Sequence, residues 1–203
     1  MKIALIGVSG RVGSRLLAEL LRRGHTVTGI ARDVKSVASQ PGLSLSVGEA
    51  TSAAELAPLI AGHNAVISAS RFVSSDPKAL IAAVRQAGVA RLLVVGGAGS
   101  LEVAPGVMLV DAPNFPEAYK AESLAGRAFL EVLRSERDLD WTVLCPSAEF
   151  MPGVRTGKFR LGGDQLLTGA DGKSWISMED FAIAMIDELE KPQHIRQRFT
   201  IGY

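Results

Sequence analysis

Three glycines, Gly7, Gly10 and Gly13, stand between a β-type run and a helical repeat at the head of the chain, and they leave few folds open. Lys2–Ile6 is short, apolar and β-favouring. Leu16, Leu17, Leu20 and Leu21 then recur at helical spacing, and Gly24 stops that helix. Strand, glycine turn and helix in this order form the first half of a dinucleotide-binding βαβ unit. Gly7 permits the sharp turn out of the strand. Gly10 leaves no Cβ between the backbone and a pyrophosphate, and Gly13 lets the helix pack closely on the strand. The helix N-terminus adds free N–H groups and a positive dipole end. Gly7, Ser9, Gly10, Arg11, Val12 and Gly13 are therefore the expected phosphate-side contacts. The turn lacks the Gly-Lys-Ser/Thr ending of an ATP-binding loop, which disfavours phosphoryl transfer.

The remaining chain repeats the alternation. Strands are expected at His25–Ala31, Leu43–Val47, Ala65–Ala69, Arg91–Val95, Trp141–Leu144 and Arg198–Ile201. Val34–Gly42 is a polar connection with room for a short helix. Helices are expected at Ala53–Ala61 behind a Thr51 or Ser52 cap, from Asp76-Pro77 to Ala87, at Glu117–Arg137, and at Met178–Leu189 behind Ser177. This spacing means α/β: a doubly wound parallel sheet with helices on both faces. Leu101–Pro116, with three prolines, reads as a loop near the strand ends. Phe150–Gly172 reads as a loop with a small hairpin around Lys158–Leu161. Residues 1–203 read as a single nucleotide-binding domain, with substrate-region loops mainly from 101–118 and 147–176.

A formal net charge of +1 gives no attraction to nucleic acid or to an acidic membrane. No apolar run approaches the ~20 residues of a membrane span. The single cysteine, Cys145, rules out an internal disulfide framework and fits a reducing cytoplasm. With a strand at the N-terminus, no cleavable leader is expected. Cys145 itself reads as a small buried hydrophobe before Pro146. His25, His63 and His194 lack metal-ligand spacing, so no metal site is expected. Glu188–Lys191, Arg196 and Arg198 read as solvated surface.

In a doubly wound sheet the ligand lies outside the carboxyl ends of the strands, where strand order reverses. This selects Gly7–Gly13, Arg32-Asp33, Ser68–Phe72 and Gly97–Ser100. Arg32 follows the glycine turn by about 20 residues, where an acidic side chain would bind the ribose 2′-hydroxyl of NAD. A guanidinium there pairs instead with the 2′-phosphate of NADP. NADP is favoured, and Asp33 keeps NAD open. Arg11 is a second cation for the 2′-phosphate or the pyrophosphate.

GVSGRVG followed by VTGIARD resembles the atypical short-chain dehydrogenase/reductases of the NmrA-like and NAD(P)H-binding group. VVGGAGSL, EAYKAESLA, LDWTVLCPSAEF and ISMEDFAIAMIDELEKPQHIRQRFTIGY are similar to proteins of that group described as NADH-flavin reductases. The resemblance spans essentially the whole chain. It implies a Rossmann fold of strand order 3-2-1-4-5-6-7 with a small C-terminal substrate region. By analogy with that fold, Ser70, Arg71, Gly97, Ala98 and Pro146 line the nicotinamide side.

Ordinary members of the superfamily use a Tyr-x-x-x-Lys pair and a serine near the end of the fifth strand as a proton relay. Here Tyr119 is followed four residues later by Ser123, Lys120 is its neighbour in sequence, and Ser100 lies past the expected serine. Tyr119 and Ser100 are the only catalytic candidates, and the relay reads as absent, although Tyr119 has room to precede the helix proper. Hydride transfer to a flavin needs mainly stacked rings and positioning. Phe72, Phe115, Tyr119, Phe150 and Met151 are the candidate wall for a flat ring, with loop packing as the alternative. The expected activity is NAD(P)H-dependent reduction of a small-molecule acceptor, with FMN, FAD or a quinone as substrate. The competing reading is a non-catalytic NADP-binding sensor acting on a protein partner; an isomerase is a third. Monomer and homodimer both remain open.

Overall fold

The structure, a computed structural model, describes residues 1–203. Eight strands form the central sheet. In chain order the strands of the molecule are β1 (Lys2–Ile6), β2 (Thr26–Ala31), β3 (Leu43–Val47), β4 (Ala65–Ser68), β5 (Arg91–Val95), β6 (Glu102–Ala104), β7 (Val107–Met108), β8 (Asp140–Pro146), β9 (Glu149–Met151), β10 (Arg160–Gly162), β11 (Trp175–Ser177) and β12 (Gln197–Gly202). The five helices are α1 (Arg11–Arg22), α2 (Ala53–Ile60), α3 (Pro77–Gln86), α4 (Glu117–Arg134) and α5 (Met178–Glu190).

The central order is β10-β12-β8-β5-β4-β1-β2-β3. Every pairing is parallel except β10 with β12. The seven parallel strands therefore run in the expected 3-2-1-4-5-6-7 order, with β8 and β12 as the sixth and seventh. Strand order reverses between β1 and β4, which opens the crevice there.

Strand alternation splits the core in two. Ala4 and Ile6 of β1, Val66 of β4, and Leu92 and Val94 of β5 face α2, α3 and α4. Ile3 and Leu5, Ala65 and Ile67, and Leu93 face α1 and α5. Leu16 and Leu20 of α1 and Phe181 and Ile186 of α5 are fully buried against that second face, each burial contributing about 1.5–3 kcal/mol. Helix starts follow the caps. The Asp76 carboxylate accepts from Lys78 N and Ala79 N, Ser52 from Glu55 N, and Ser177 from Asp180 N.

Three expectations are corrected. The hairpin expected near Lys158–Leu161 does not form; Arg160–Gly162 instead adds antiparallel to β12, with Arg160 opposite Gly202. Leu101–Pro116 is not wholly a loop, because β6 and β7 make the local hairpin, turning at Gly106 with φ +75°. Glu188 and Arg198 are not solvated surface. Glu188 is held by Arg91, His194 Nδ1 and two backbone N–H groups, and Arg198 by Asp164 and the Ser100 carbonyl. No helix is long and apolar enough to cross a membrane.

Candidate functional site

The loop between β1 and α1 is built around absent side chains. Gly7 has φ +84°, and a Cβ there would lie 2.7 Å from the Ala69 carbonyl oxygen at the end of β4. A Cβ on Gly13 would overlap the Gly7 carbonyl oxygen outright. Gly13 is thus required for the helix to sit on the turn, rather than on the strand itself. At Gly10 a Cβ would meet only the Gly7 carbonyl, at 3.2 Å, and beyond it the space is open. The Gly7 N–H is bonded to Ile30 O at 2.7 Å, which ties the loop to β2. The first helical bond is Ser14 N to Gly10 O at 2.9 Å, and Gly10 caps α1 with no side chain. The N–H groups of Arg11, Val12 and Gly13 at this helix start have no intrahelical acceptor. That is an anion-receiving arrangement.

A cleft of about 330 Å³ opens beside this loop. It is lined by Gly7, Ser9 and Gly10, by Arg32 and Asp33 after β2, by Glu49 and Ala50 after β3, and by Ser70, Arg71 and Ser74 after β4. The fold thereby brings Gly7, Ser9, Gly10, Arg32, Ser70 and Arg71 to one cleft. Arg32 is exposed on its rim, and one Asp33 oxygen accepts the Lys35 N–H at 2.8 Å. Arg11 is exposed on the first turn of α1 and does not line the cleft, whereas Val12 is half-buried in the packing of α1. Glu49, Ala50 and Ser74 join the cleft beyond the residues that motif spacing marks. Glu49 follows a strand end and a glycine, and the rule that ligands gather at strand ends points to it.

Beyond β5 the grouping is looser. Gly97 and Ala98 are half-buried after β5, while Pro146 is the buried last residue of β8, opposite Ile201. A Cβ on Gly99 would collide with Ser123 of α4, so the turn after β5 is pressed onto that helix. Ser100 is turned inward: its hydroxyl faces the Gly97 carbonyl at 3.3 Å and Cys145 Sγ at 3.9 Å. Cys145 is 1% exposed, and burial pushes its thiol up, so it is inert packing.

Tyr119 sits in the first turn of α4, which begins at Glu117, so it does not precede the helix. It is 66% exposed. Lys120 Nζ points to Glu117 Oε2 at 3.5 Å. Ser100, Tyr119 and Lys120 form no relay. Phe72 does not face the dinucleotide cleft. Its ring packs against Gly126 and edge-on to Phe129 at 5.2 Å, and its N–H donates to Glu122 Oε1 at 2.7 Å. Phe150 likewise packs inward, 4.8 Å from Phe181. Phe115 is half-buried, and Met151 is exposed. The five-residue wall therefore divides, with Tyr119 and Met151 open and Phe72 and Phe150 committed to the core.

The segment after β9 is strapped to α1 and α5. The Gly153 N–H donates to Glu179 Oε2 at 2.7 Å, and Ser177 Oγ donates to the Val154 carbonyl at 3.0 Å. Asp180 accepts from Thr156 N, Gly157 N, Thr156 Oγ1 and Tyr203 OH. Burial opposes ionisation of Asp180, but these donors outweigh it and hold the carboxyl below its ordinary range.

Comparisons with known proteins agree with this geometry. The sequence model of the NAD(P)H-binding family matches residues 7–192. The chain is 41% identical to the uncharacterized protein YwnB of Bacillus subtilis (strain 168), covering 99% of this chain and 98% of that protein. A candidate epimerase from Bacteroides thetaiotaomicron superposes with a TM-score of 0.94 at 44% identity, covering 100% of this chain and 96% of the other. A candidate NADH-flavin reductase from Streptococcus pneumoniae TIGR4 superposes with a TM-score of 0.84 at 33% identity, covering 100% and 99%. Glycine cradle, strand-end cleft and relatives agree, and the chain belongs to the NAD(P)H-binding family.

Proposed function

We propose that this protein is an NADPH-preferring reductase that passes hydride to a flavin, a quinone or a similar flat acceptor. NAD(P)H, when bound, supplies two electrons and a hydrogen as hydride; the second proton of acceptor reduction comes from water. The chain's own part is to bind and orient. The free N–H groups of α1 receive the pyrophosphate, and Gly7 and Gly10 let it approach. Arg32 meets the 2′-phosphate, because Asp33 is partly occupied by Lys35 N and the guanidinium is left for an external anion. Ser70 and Arg71 border the path toward the nicotinamide end.

The observation that carries the reading is the missing proton relay beside an intact nucleotide cleft. Tyr119 is solvent-exposed, Lys120 faces Glu117, and Ser100 faces Cys145. Reduction of a carbonyl needs a placed proton donor, whereas a flavin or quinone takes hydride and is protonated from solvent. The likeness to a candidate NADH-flavin reductase supports the same class.

The test is direct. The purified protein is titrated with NADPH and NADH, then followed for nucleotide oxidation with FMN and with a naphthoquinone. Tighter NADPH binding and acceptor-dependent oxidation are expected. Tight binding with no turnover on either acceptor overturns the reductase reading in favour of a nucleotide sensor.

A further inference from the structure

Among the large apolar side chains left exposed, Trp175 is held by an aromatic neighbour. β9 and β11 pair in parallel with Phe150 opposite Ile176. Ile176 is fully buried and Phe150 packs on Phe181, so this face of the pair belongs to the core. Alternation sends Met151 and Trp175 to the opposite face, 51% and 41% exposed. An indole on a free loop would be unremarkable surface. This one is fixed by its neighbours.

Trp175 packs edge-on to Tyr203, with ring centroids 4.3 Å apart at 63°. Tyr203 is immobilised in turn. Its hydroxyl donates to Asp180 Oδ2 at 2.7 Å and lies 2.8 Å from Ser177 Oγ, and its N–H donates to the Trp175 carbonyl at 3.2 Å. The indole is thus clamped against Tyr203 while part of its surface stays open, with Glu149 directly across the strand pair and Met151 diagonal to it. This is a preorganised apolar shelf, costing little side-chain entropy when a ligand lands on it.

It stands at the same end of the parallel sheet as the nucleotide cleft. Only Ser147 and Ala148 separate β8 from β9, so the shelf begins at the carboxyl end of a central strand. The segment leaving β9 is bonded through Gly153 N to Glu179, and Glu179 Oε1 accepts from Arg15 Nε of α1 at 3.1 Å. Arg15 also donates to the Arg11 carbonyl at the start of that helix. Glu179 and Arg15 therefore link the segment that follows Met151 to the first turn of α1.

We propose that Trp175, supported by Met151, is the stacking surface for the electron-accepting ring of a planar π-acceptor, a flavin isoalloxazine or a quinone. Electron-poor rings stack on an indole face, and a thioether adds a soft contact at the ring edge. This rests on the reductase reading, and its test is made separable by using binding rather than turnover. Calorimetric titration with oxidised FMN and with a naphthoquinone, in the presence of NADP, reads acceptor affinity alone. Trp175→Ala is expected to weaken at least one of the two acceptors tenfold or more and Trp175→Phe to retain most affinity, with the NADPH Kd unchanged in both. Loss with FMN alone assigns a flavin, and loss with the quinone alone assigns a quinone. Wild-type affinity in Trp175→Ala, or no binding of either acceptor to the wild type, overturns the proposal. Absence of NADPH oxidation despite Trp175-dependent acceptor binding would defeat the reductase reading and leave the shelf standing. Thermal melts of both variants guard against misfolding.

Discussion

Arg155, in the segment after β9, grips Glu19 of α1 with two donors, Nε to Oε2 at 3.0 Å and Nη2 to Oε1 at 3.1 Å. Arg22 at the end of α1 and Arg23 just past it bind the same carboxylate. With Gly153 on Glu179 and Thr156 and Gly157 on Asp180, four residues of this segment are held by acidic groups of α1 and α5. The segment bordering the Trp175 shelf is therefore a fixed wall rather than a closing lid.

Glu19 makes that wall sensitive to acid. Burial opposes its ionisation, yet the guanidinia of Arg22, Arg155 and Arg23 hold its carboxyl well below the usual range. A carboxyl depressed on folding stabilises the fold above its unfolded value near pH 4, and the contribution is lost as pH falls toward the folded value. Glu19→Gln should cost about 1–3 kcal/mol at pH 7, since two of its arginine partners are partly exposed. Denaturant melts between pH 2 and 7 should show a shallower acid limb for the variant. An unchanged limb would mean that Asp180 and other carboxyls carry all of it.

The glycines of the first turn should separate binding from folding. Gly13→Ala places a methyl into the Gly7 carbonyl, backbone that cannot move aside, so the melting temperature should drop by several degrees. Gly10 has extended backbone, φ −75° and ψ 167°, and faces open space past one 3.2 Å contact. Gly10→Val should therefore fold and lose nucleotide binding. Circular dichroism and an NADPH titration on both variants check the contrast. A Gly10→Val protein with wild-type NADPH affinity would remove the phosphate from that turn.

Why this much was legible in the sequence, and no more, follows from which signals are local. Gly7, the Asp76 and Ser177 caps and the apolar runs of β1, β4 and β5 each act within a few residues, and all agree with one topology. The period-two stretch at Lys158–Leu161 states that a strand forms but not with what. Its partner β12 lies forty residues away, and the Arg160 guanidinium reaches the Tyr203 carbonyl at 2.6 Å. Charge misled for the same reason. Arg198 and Glu188 are buried because Asp164 and Arg91 come to meet them across the sheet. Phe72 left the expected ring wall because Gly126, on a helix fifty residues on, makes a slot for it. In the cleft, glycines and Arg32 declare themselves by spacing, whereas Glu49 is marked only by its place after the end of β3.

Tyr119 tests the chemistry. If hydride is delivered to a ring protonated by water, an exposed phenol whose adjacent lysine faces Glu117 contributes nothing to the step. Tyr119→Phe should leave kcat with FMN or a naphthoquinone within about twofold, well under the 10²–10⁴-fold of a general acid. Lys120→Ala should behave alike, having lost only an exposed contact with Glu117. A hundredfold fall in kcat for Tyr119→Phe would restore the proton relay and shift the acceptor toward carbonyl compounds.

The proposed NADPH preference is tested at Arg32. It stands on the rim of the cleft one residue past β2, where the ribose of a dinucleotide held by the Gly7–Gly13 turn comes to rest. Asp33 beside it carries a charge like that of a 2′-phosphate, tempered at one oxygen by the Lys35 N–H it accepts. A guanidinium–phosphate pair at a partly exposed site is worth about 1.5–3 kcal/mol, so Arg32→Ala should weaken NADP roughly 10- to 100-fold. NAD has no 2′-phosphate to lose, and its Kd should move by less than about threefold. Raising ionic strength should erode the wild-type preference for NADP and leave the variant nearly unaffected, because the pair is screened. The complementary change, Asp33→Asn, should tighten NADP modestly by removing a like charge. Equal losses of NADP and NAD in Arg32→Ala would mean that the side chain supports the adenosine pocket as packing, and the 2′-phosphate would have to be met by another cation, Arg71 or Arg11.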